Sequence, residues 1–265
     1  MRGRWSVRPG RLVLAGDLTG ADDVDIGLHH HPAVQLTVGL DGPLVVVFGD
    51  GRTVRCRVAV IAGGVRHALR PGGARTALSA YINPAGRTGA VLNGLCRRDG
   101  DAGVWTAPLD DDMAELVEGG HQAGDLQVVA DIAVRAVLRA AGIDPADASP
   151  VHPALSRAVE LVSAGMPDRA DLVAVARAVA VSPDYLGRLF RRQTGVSFSA
   201  MARWSRLLSA LPHLDRGASV TDAAHLAGFA DGAHAHRVCR ELAGISPSQV
   251  ARLLAENRTD PFKRE

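Results

Sequence analysis

The hydrophobic rhythm of the chain changes twice. From about Arg11 to Gly89, apolar residues come in short runs broken by turns. The stretches 35–40, 44–48, 53–61 and 76–82 are rich in β-branched residues, and 53–60 nearly alternates polar with apolar, the period of a half-buried strand. Asp41-Gly42 and Asp50-Gly51 are hairpin signals because both residue types accept positive φ cheaply, and Arg70-Pro-Gly-Gly marks another turn. Strands at this spacing predict a small antiparallel barrel or sandwich. From about Asp110 to Gly142 the period becomes helical. Met113 to Glu118 reads as a short helix ended by Gly119-Gly120. Asp125 to Ala141 reads as a longer one, with Leu126, Val129, Ile132/Ala133, Ala136/Val137 and Ala140 on one stripe, Asp125 as its N-cap and Gly142 as its stop. That stripe suits either the chain's own barrel or a second copy. A Pro/Asp/Ser-rich connector over 143–153 puts a boundary near residue 150.

Beyond the connector nearly everything reads as helix, and the segment contains an internal repeat. Residues 185–199 align with 234–248 at an offset of 49: Arg188 with Arg237, Arg191 with Arg240, Gly195 with Gly244, Ser197 with Ser246 and Ser199 with Ser248. In the first copy a short amphipathic helix from Asp171 to Val179 turns at Ala180-Val181. Ser182 supplies an N-cap oxygen, Pro183 takes the first helical position, and Gly195 closes the second helix. The second copy runs from Thr221, turns at Gly228-Phe229-Ala230, caps on Asp231 and closes at Gly244. Each copy is a helix-turn-helix. Leu186, Leu189 and Phe190, and then Ala235, Val238 and Cys239, form the expected buried stripes. Arg188, Arg191 and Arg192, and then His236, Arg237 and Arg240, point outward and are the expected DNA-binding residues. Arginine forks match guanine O6/N7 and phosphate oxygens in a major groove.

Charge adds a little to this picture. The chain of 265 residues is 47% hydrophobic with a net charge of +2, and Lys263 is its only lysine. Residues 151–265 hold 15 Lys/Arg against 11 Asp/Glu, or +4; residues 1–150 hold 15 against 17, or −2. No apolar run approaches the roughly 18–20 residues of a membrane span. The start lacks the apolar core of a secretory signal, and Cys56, Cys96 and Cys239 are too few and too scattered for a disulfide scaffold or a paired-cysteine zinc site. A reducing cytoplasm is the expected compartment. No nucleophile elbow, P-loop or paired carboxylates stand out, so no enzyme is expected.

The two helix-turn-helix copies, with Ser182-Pro-x-Tyr-Leu-x-Arg188-Leu-Phe-Arg-Arg in the first and Gly228-Phe-x-Asp231 followed by Gly244-Ile-Ser-Pro247 in the second, resemble the AraC/XylS transcription regulators over about residues 155–254. The resemblance implies two recognition helices entering successive major grooves of promoter DNA, joined by a linker helix from Arg203 to Leu214. Several positions depart from the family pattern. Ala180 replaces a turn glycine, and Ala235 and Cys239 replace larger apolar residues. Asp184 and Gly187 stand where base contacts are often presented; Asp184 reads as a first-turn acid complementing the helix dipole. Pro212 falls inside the linker helix and is expected to end or bend it at about Leu211, with Ser219 capping the next helix.

The N-terminal zone resembles the small cupin-like sensor barrel such regulators often carry. A cupin metal site resembles HxH, a carboxylate, and a later histidine. Here His29-x-His31 is followed by Gln35 rather than glutamate, and His67 closes 62–67 without the usual proline. Strand geometry puts i and i+2 on one face, and three imidazoles suit zinc, nickel, copper or iron. Because a carboxylate is missing, the favoured expectation is no cofactor, with His29, His31, Gln35 and His67 lining a ligand pocket or bonding turns. The expected fold is thus α+β: a cupin-like β-barrel sensor over 1–105, a helical segment and linker over 106–150 that could dimerise, and an all-α DNA-binding bundle over 151–265. The expected function is a sequence-specific transcription regulator, controlled by a ligand or by oligomerisation. Besides promoter DNA, the resemblance allows a small-molecule effector, RNA polymerase and a second copy as partners, and no membrane. Two other readings are a metal-dependent cupin enzyme fused to a DNA-binding tail, and helical repeats that bind protein.

Overall fold

The structure is a computed structural model and describes residues 3–17, 26–98, 103–107, 125–144, 150–165 and 171–258. Among them, strands β1 (Gly3–Arg8), β2 (Arg11–Asp17), β3 (Val34–Gly39), β4 (Leu44–Phe48), β5 (Thr53–Cys56), β6 (Val58–Ile61), β7 (His67–Pro71), β8 (Thr76–Ile82) and β9 (Val104–Ala107) form two antiparallel sheets. The larger has the order β1-β2-β8-β3-β6-β9 and the smaller β5-β4-β7. The expected barrel is not what forms, because neither sheet closes on itself. The cause lies at Arg57. Residues 53–61, read as one strand from their alternation, break there: β5 pairs with β4 in the small sheet, and β6 pairs with β3 in the large one. The Arg57 guanidinium holds the corner, donating to the carbonyls of Gly39 and Leu40 at 2.9 Å each. Asp50-Gly51 does turn β4 into β5, but Asp41-Gly42 carries the chain from one sheet to the other instead of closing a hairpin. There the Asp41 carboxylate accepts from the backbone N–H groups of Arg75 and Thr76 at 2.8 and 2.9 Å.

Alternation divides the large sheet into two unlike faces. Val34, Leu36 and Val38 of β3, Val58 and Val60 of β6, and Leu78, Ala80 and Ile82 of β8 are buried on one face. Full burial of such a side chain contributes about 1.5–3 kcal/mol. Two helices cover this face: α1 (Arg87–Arg98), through Val91, Leu92 and Leu95, and α2 (Leu126–Ala140), through Leu126, Val129, Ala133 and Val137. The α2 stripe is therefore used against the chain's own sheet. Asp125 caps α2, accepting from the N–H groups of Gln127 and Val128, and Gly142 follows its end at φ +63°. Arg11 of β2 clamps it from the sheet, reaching Gln127 at 2.7 Å and Asp131 at 2.5 Å. The helix expected at Met113 to Glu118 lies outside the described residues. On the other face of the large sheet, the cross-strand pairs Gln35–Tyr81 and Thr37–Ser79 bring polar groups together.

The C-terminal part is helical: α3 (Pro153–Ser163), α4 (Leu172–Ala178), α5 (Pro183–Leu189) running into a π-turn (Phe190–Thr194), α6 (Phe198–Asp215), α7 (Val220–Leu226), α8 (Gly232–Ala243) and α9 (Pro247–Arg258). Leu155, Val175, Leu186, Phe190, Phe198, Met201, Phe229, Val238 and Leu242 share one core, and Ala33 and Ala85 from the N-terminal part belong to it as well. In the linker helix α6 the ending expected at about Leu211 does not occur, and the helix runs through Pro212 to Asp215. Proline there forfeits only the bond to the Leu208 carbonyl, close to where the helix stops. Leu211 and Leu214 on either side are buried with Leu12, Ala223 and Leu254, which holds the last turn in place. Ser219 caps α7 as expected, accepting from the Asp222 N–H at 3.1 Å.

The two helix-turn-helix turns share one backbone pattern. Ala180 N–H donates to Arg177 and Val181 N–H to Ala176; Gly228 N–H donates to His225 and Phe229 N–H to Ala224. Ala180 has φ +56° and Gly228 φ +77°, so a non-glycine residue occupies the left-handed position in the first copy. A β-carbon in that region costs about 1–2 kcal/mol, whereas glycine loses about 0.4–1 kcal/mol more backbone entropy on folding. Ala180→Gly should therefore raise the unfolding free energy by up to about 1 kcal/mol, read from urea denaturation; a drop would show that Ala180 is not strained.

Candidate nucleic-acid interface and histidine cluster

Helix α5 starts as its sequence dictates. Ser182 accepts from the Tyr185 N–H at 3.2 Å, and Pro183 stands at the first position. Leu186, Leu189 and Phe190 are buried, which turns Arg188, Arg191 and Arg192 to solvent. Asp231 caps α8 by accepting from the His234 N–H at 2.6 Å; Ala235, Val238 and Cys239 are buried, and His236, Arg237 and Arg240 are exposed. All six expected DNA-binding residues thus lie on open faces of the second helices of the two copies. Tyr185, Arg188, Arg191 and Arg192 line a recess of about 390 Å³. Asp184, in the first turn of α5, forms an ion pair with Arg188 at 3.3 Å. The two second helices end alike, with Gly195 at φ +80° and Gly244 at φ +73°.

The four N-terminal residues singled out by sequence also come together. His29, His31 and His67 are buried, and one ring nitrogen from each lies within 4.8 Å of the others. His29 and His67 are joined by a backbone bridge in which each N–H donates to the other's carbonyl, at 2.9 and 2.8 Å. The three Nδ1 atoms lie 2.9–3.0 Å from the carbonyls of Gly27, Ala33 and Val65. The Nε2 atoms of His31 and His67 lie 3.0 and 2.9 Å from Gln35 Oε1. Burial pushes the His31 pKa down to about 3, with His29 nearby adding to the effect. Burial likewise lowers His67 well below the ordinary 6.5, reinforced by its histidine neighbours, and lowers His29.

The C-terminal helices close over this cluster, which sequence reasoning did not foresee. Trp204 of α6 lies with its ring centroid 5.3 Å from His31, and Tyr81 of β8 packs edge-on to His31 at 4.9 Å. The chain end of each recognition helix rests on a histidine-bearing segment. At the first, Asn93 of α1 accepts from the Gly63 N–H at 3.3 Å and donates to the Thr194 carbonyl at 3.1 Å. At the second, the Gly27 N–H donates to the Gly244 carbonyl at 3.0 Å, and the His30 N–H to the Glu241 carbonyl at 3.1 Å. Glu241 also binds Arg203 of α6 at 2.6 Å and faces His30 at 3.5 Å. Asn93, Tyr81, Trp204 and Glu241 carry no motif; their roles come from tertiary contact alone. Beside Tyr81 and Trp204, a cavity of about 250 Å³ opens between the two parts, with Arg8, Val159, Met201 and Leu208 in its wall. Cys56, Cys96 and Cys239 are free thiols, and among the described residues no helix is long and apolar enough to cross a membrane.

Residues 175–253 match the family model described as a helix-turn-helix domain. Over 102 residues, 38% of the chain, the protein is 32% identical to the HTH-type transcriptional regulator GlxA of Rhizobium meliloti (strain 1021). The chain spans about a third of that relative's length, 32%. Its overall fold is similar to that of ToxT from Vibrio cholerae strain SCE256. An apo form superposes with a TM-score of 0.66 at 12% identity over 95% of this chain and 100% of that one. An unsaturated fatty acid-bound form gives 0.59 at 12% identity, over 94% and 97%.

The pKa directions have a consequence for stability. Burial disfavours the protonated form of all three imidazoles in the folded chain, whereas the unfolded chain takes up protons near pH 6.5. Stability is therefore complete above that value and falls as the pH drops below it. The urea midpoint should decline between pH 7.5 and 5.5, and His67→Gln should flatten that decline; a midpoint independent of pH would contradict the neutral cluster.

Proposed function

We propose that this chain, which carries an AraC-type helix-turn-helix domain at its C-terminal end, is a sequence-specific DNA-binding transcription regulator acting in the cytoplasm. Its N-terminal sheets receive a ligand signal and pass it to the readers. The observation that carries this reading is the repeat: two capped helix pairs, each turning three basic side chains outward from a buried apolar stripe. Arg188 and Arg237 occupy equivalent positions one turn into each helix, where a guanidinium can fork onto guanine. Arg188 can leave Asp184 at little cost, since an exposed i,i+4 pair contributes about 0.3–0.5 kcal/mol. Arg191, Arg192 and Arg240 lie further along and suit phosphate oxygens, and His236 stands beside Arg237 on the open face.

The signal has a route, because the N-terminal part touches the end of each reader and the middle of the helix joining them. A ligand that favours one arrangement of these contacts shifts the population competent to bind DNA. ToxT has been seen with an unsaturated fatty acid bound. The cavity beside Tyr81 and Trp204, at about 250 Å³, is smaller than the roughly 300–1,000 Å³ of typical ligand pockets, which supports a compact effector if one seats there.

Footprinting the full chain on genomic DNA supplies an operator on which the readers can be tested. Arg188→Ala and Arg237→Ala should each cost about 1–3 kcal/mol and relax specificity at one position, read by fluorescence anisotropy on operators with single changes. Arg191→Ala, Arg192→Ala and Arg240→Ala should weaken all sequences alike and flatten the salt dependence. Parent-like binding by an Arg188→Ala/Arg237→Ala double variant would refute the assignment.

A further inference from the structure

We propose that His29, His31 and His67, together with Gln35, form a site for a divalent transition-metal cation whose presence sets how both recognition helices are held. The proposal rests on the regulator reading above and names the ligand class.

The first argument is a proton count. A backbone carbonyl can only accept, so the 2.9–3.0 Å contacts from the three Nδ1 atoms place the imidazole protons on Nδ1. A neutral imidazole has one N–H, and here it is used. Each Nε2 is left with a bare lone pair. The Nε2 atoms of His31 and His67 nonetheless approach Gln35 Oε1, itself a lone-pair atom, at 3.0 and 2.9 Å. With the Gln35 amide nitrogen turned to Ser79 Oγ at 3.5 Å, three acceptors meet with no proton between them, and the third histidine adds its own nitrogen to the group. A cation at their centre turns this repulsion into coordination. The outward Nδ1–H to carbonyl bonds are the arrangement that fixes the tautomer and orientation of metal-ligating histidines. Three imidazoles and one amide oxygen suit zinc, nickel, cobalt or ferrous iron and not magnesium or calcium.

The second argument concerns what the site is tied to. His29 and His31 lie on one segment and His67 on another, and a single ion would fix the spacing between them. The Gly64 N–H donates to the His31 carbonyl at 2.8 Å, so the segments are already in register. Asn93 links one of them to the end of the first recognition helix, and Gly27 and His30 link the other to the end of the second. These seats are close. A Cβ on Gly244 would stand 2.6 Å from the Gly27 carbonyl oxygen and 3.0 Å from His29 Nδ1. The first reader's Val196 packs on Gly64, where a Cβ would come within 3.2 Å of it. The two helix-turn-helix copies therefore dock on the two halves of one histidine site, at equivalent places in the repeat.

Full-length protein stripped with a chelator and titrated with cobalt(II) tests both parts. Expected are visible d–d absorption saturating at one equivalent, its loss in His67→Gln, and its retention with an altered spectrum in Gln35→Glu. Operator affinity should differ about tenfold between stripped and loaded protein. Asn93→Ala should keep the cobalt spectrum and shrink that difference. A parent with no stoichiometric cobalt, whose Gln35 amide instead donates to both Nε2 atoms by imidazole 15N NMR, would overturn the site. Cobalt bound at one equivalent with equal affinity in the two states would overturn the coupling. Failure of stripped and loaded protein alike to bind any DNA would overturn the regulator reading, while the cobalt spectrum still decides the site.

Discussion

Trp204 stands midway along the helix that joins the two readers and reaches across to the polar face of the large sheet. Its ring lies 5.3 Å from His31 and 5.8 Å from Tyr81, and it is nearly buried. Aromatic pairs of this kind contribute about 0.5–1.5 kcal/mol beyond the area they cover. The contact matters more for what it fixes. Met201 and Ala202 on the same turns of α6 belong to the helical core, so the position of Trp204 decides where that core sits relative to the sheets. The contacts of Asn93 with Thr194 and of Gly27 with Gly244 join the reader ends to the same part of the chain.

The polar lining of that sheet face follows from the same constraint. A β-sheet with helices on one side and a small sheet over part of the other would ordinarily bury apolar residues on both. Here Gln35, Thr37 and Ser79 line the second face and bond with one another, Thr37 Oγ1 lying 3.0 Å from Ser79 Oγ. Buried polar groups persist where they are bonded, and they specify geometry more than they stabilise. The histidines sit at the end of this polar row, held by carbonyls of their own loops.

The helical half was largely legible from sequence because its signals are local. Ser182, Asp231, Gly195, Gly244, Asp125 and Ser219 each act on a backbone group within a few residues, and each does so in the structure. The repeat made the two copies check one another. The sheets were legible strand by strand but not in their closure. Alternation over 53–60 carries no mark of the corner at Arg57, whose partners Gly39 and Leu40 lie some way back along the chain. Pro212 misled for a related reason. Its local cost is real, but Leu211 and Leu214 find burial in a cluster that includes Leu12, which no local pattern announces. Of the histidine group, His29, His31, Gln35 and His67 were visible as residue types at suggestive spacing. Their burial beneath Trp204 and their contact with both reader ends are long-range facts.

The two copies of the helix-turn-helix are not superimposable. The first continues into a π-turn at Phe190–Thr194, while the second stays α-helical to Ala243; the second has the longer turn, since its first helix lies 48 residues from its counterpart and its cap 49. Arg191 and Arg192 stand within the wider π-turn, whereas Arg240 stands on a regular α-helix. A symmetric dimer of one reader meets the same surface at either end of its site and favours a palindrome. A single chain with two unlike readers does not. Laid on a duplex it would have a head and a tail, and reversing the site would be equivalent to presenting a different sequence. A protein bound in that way would point along the DNA, and the two ends of its site would not be interchangeable.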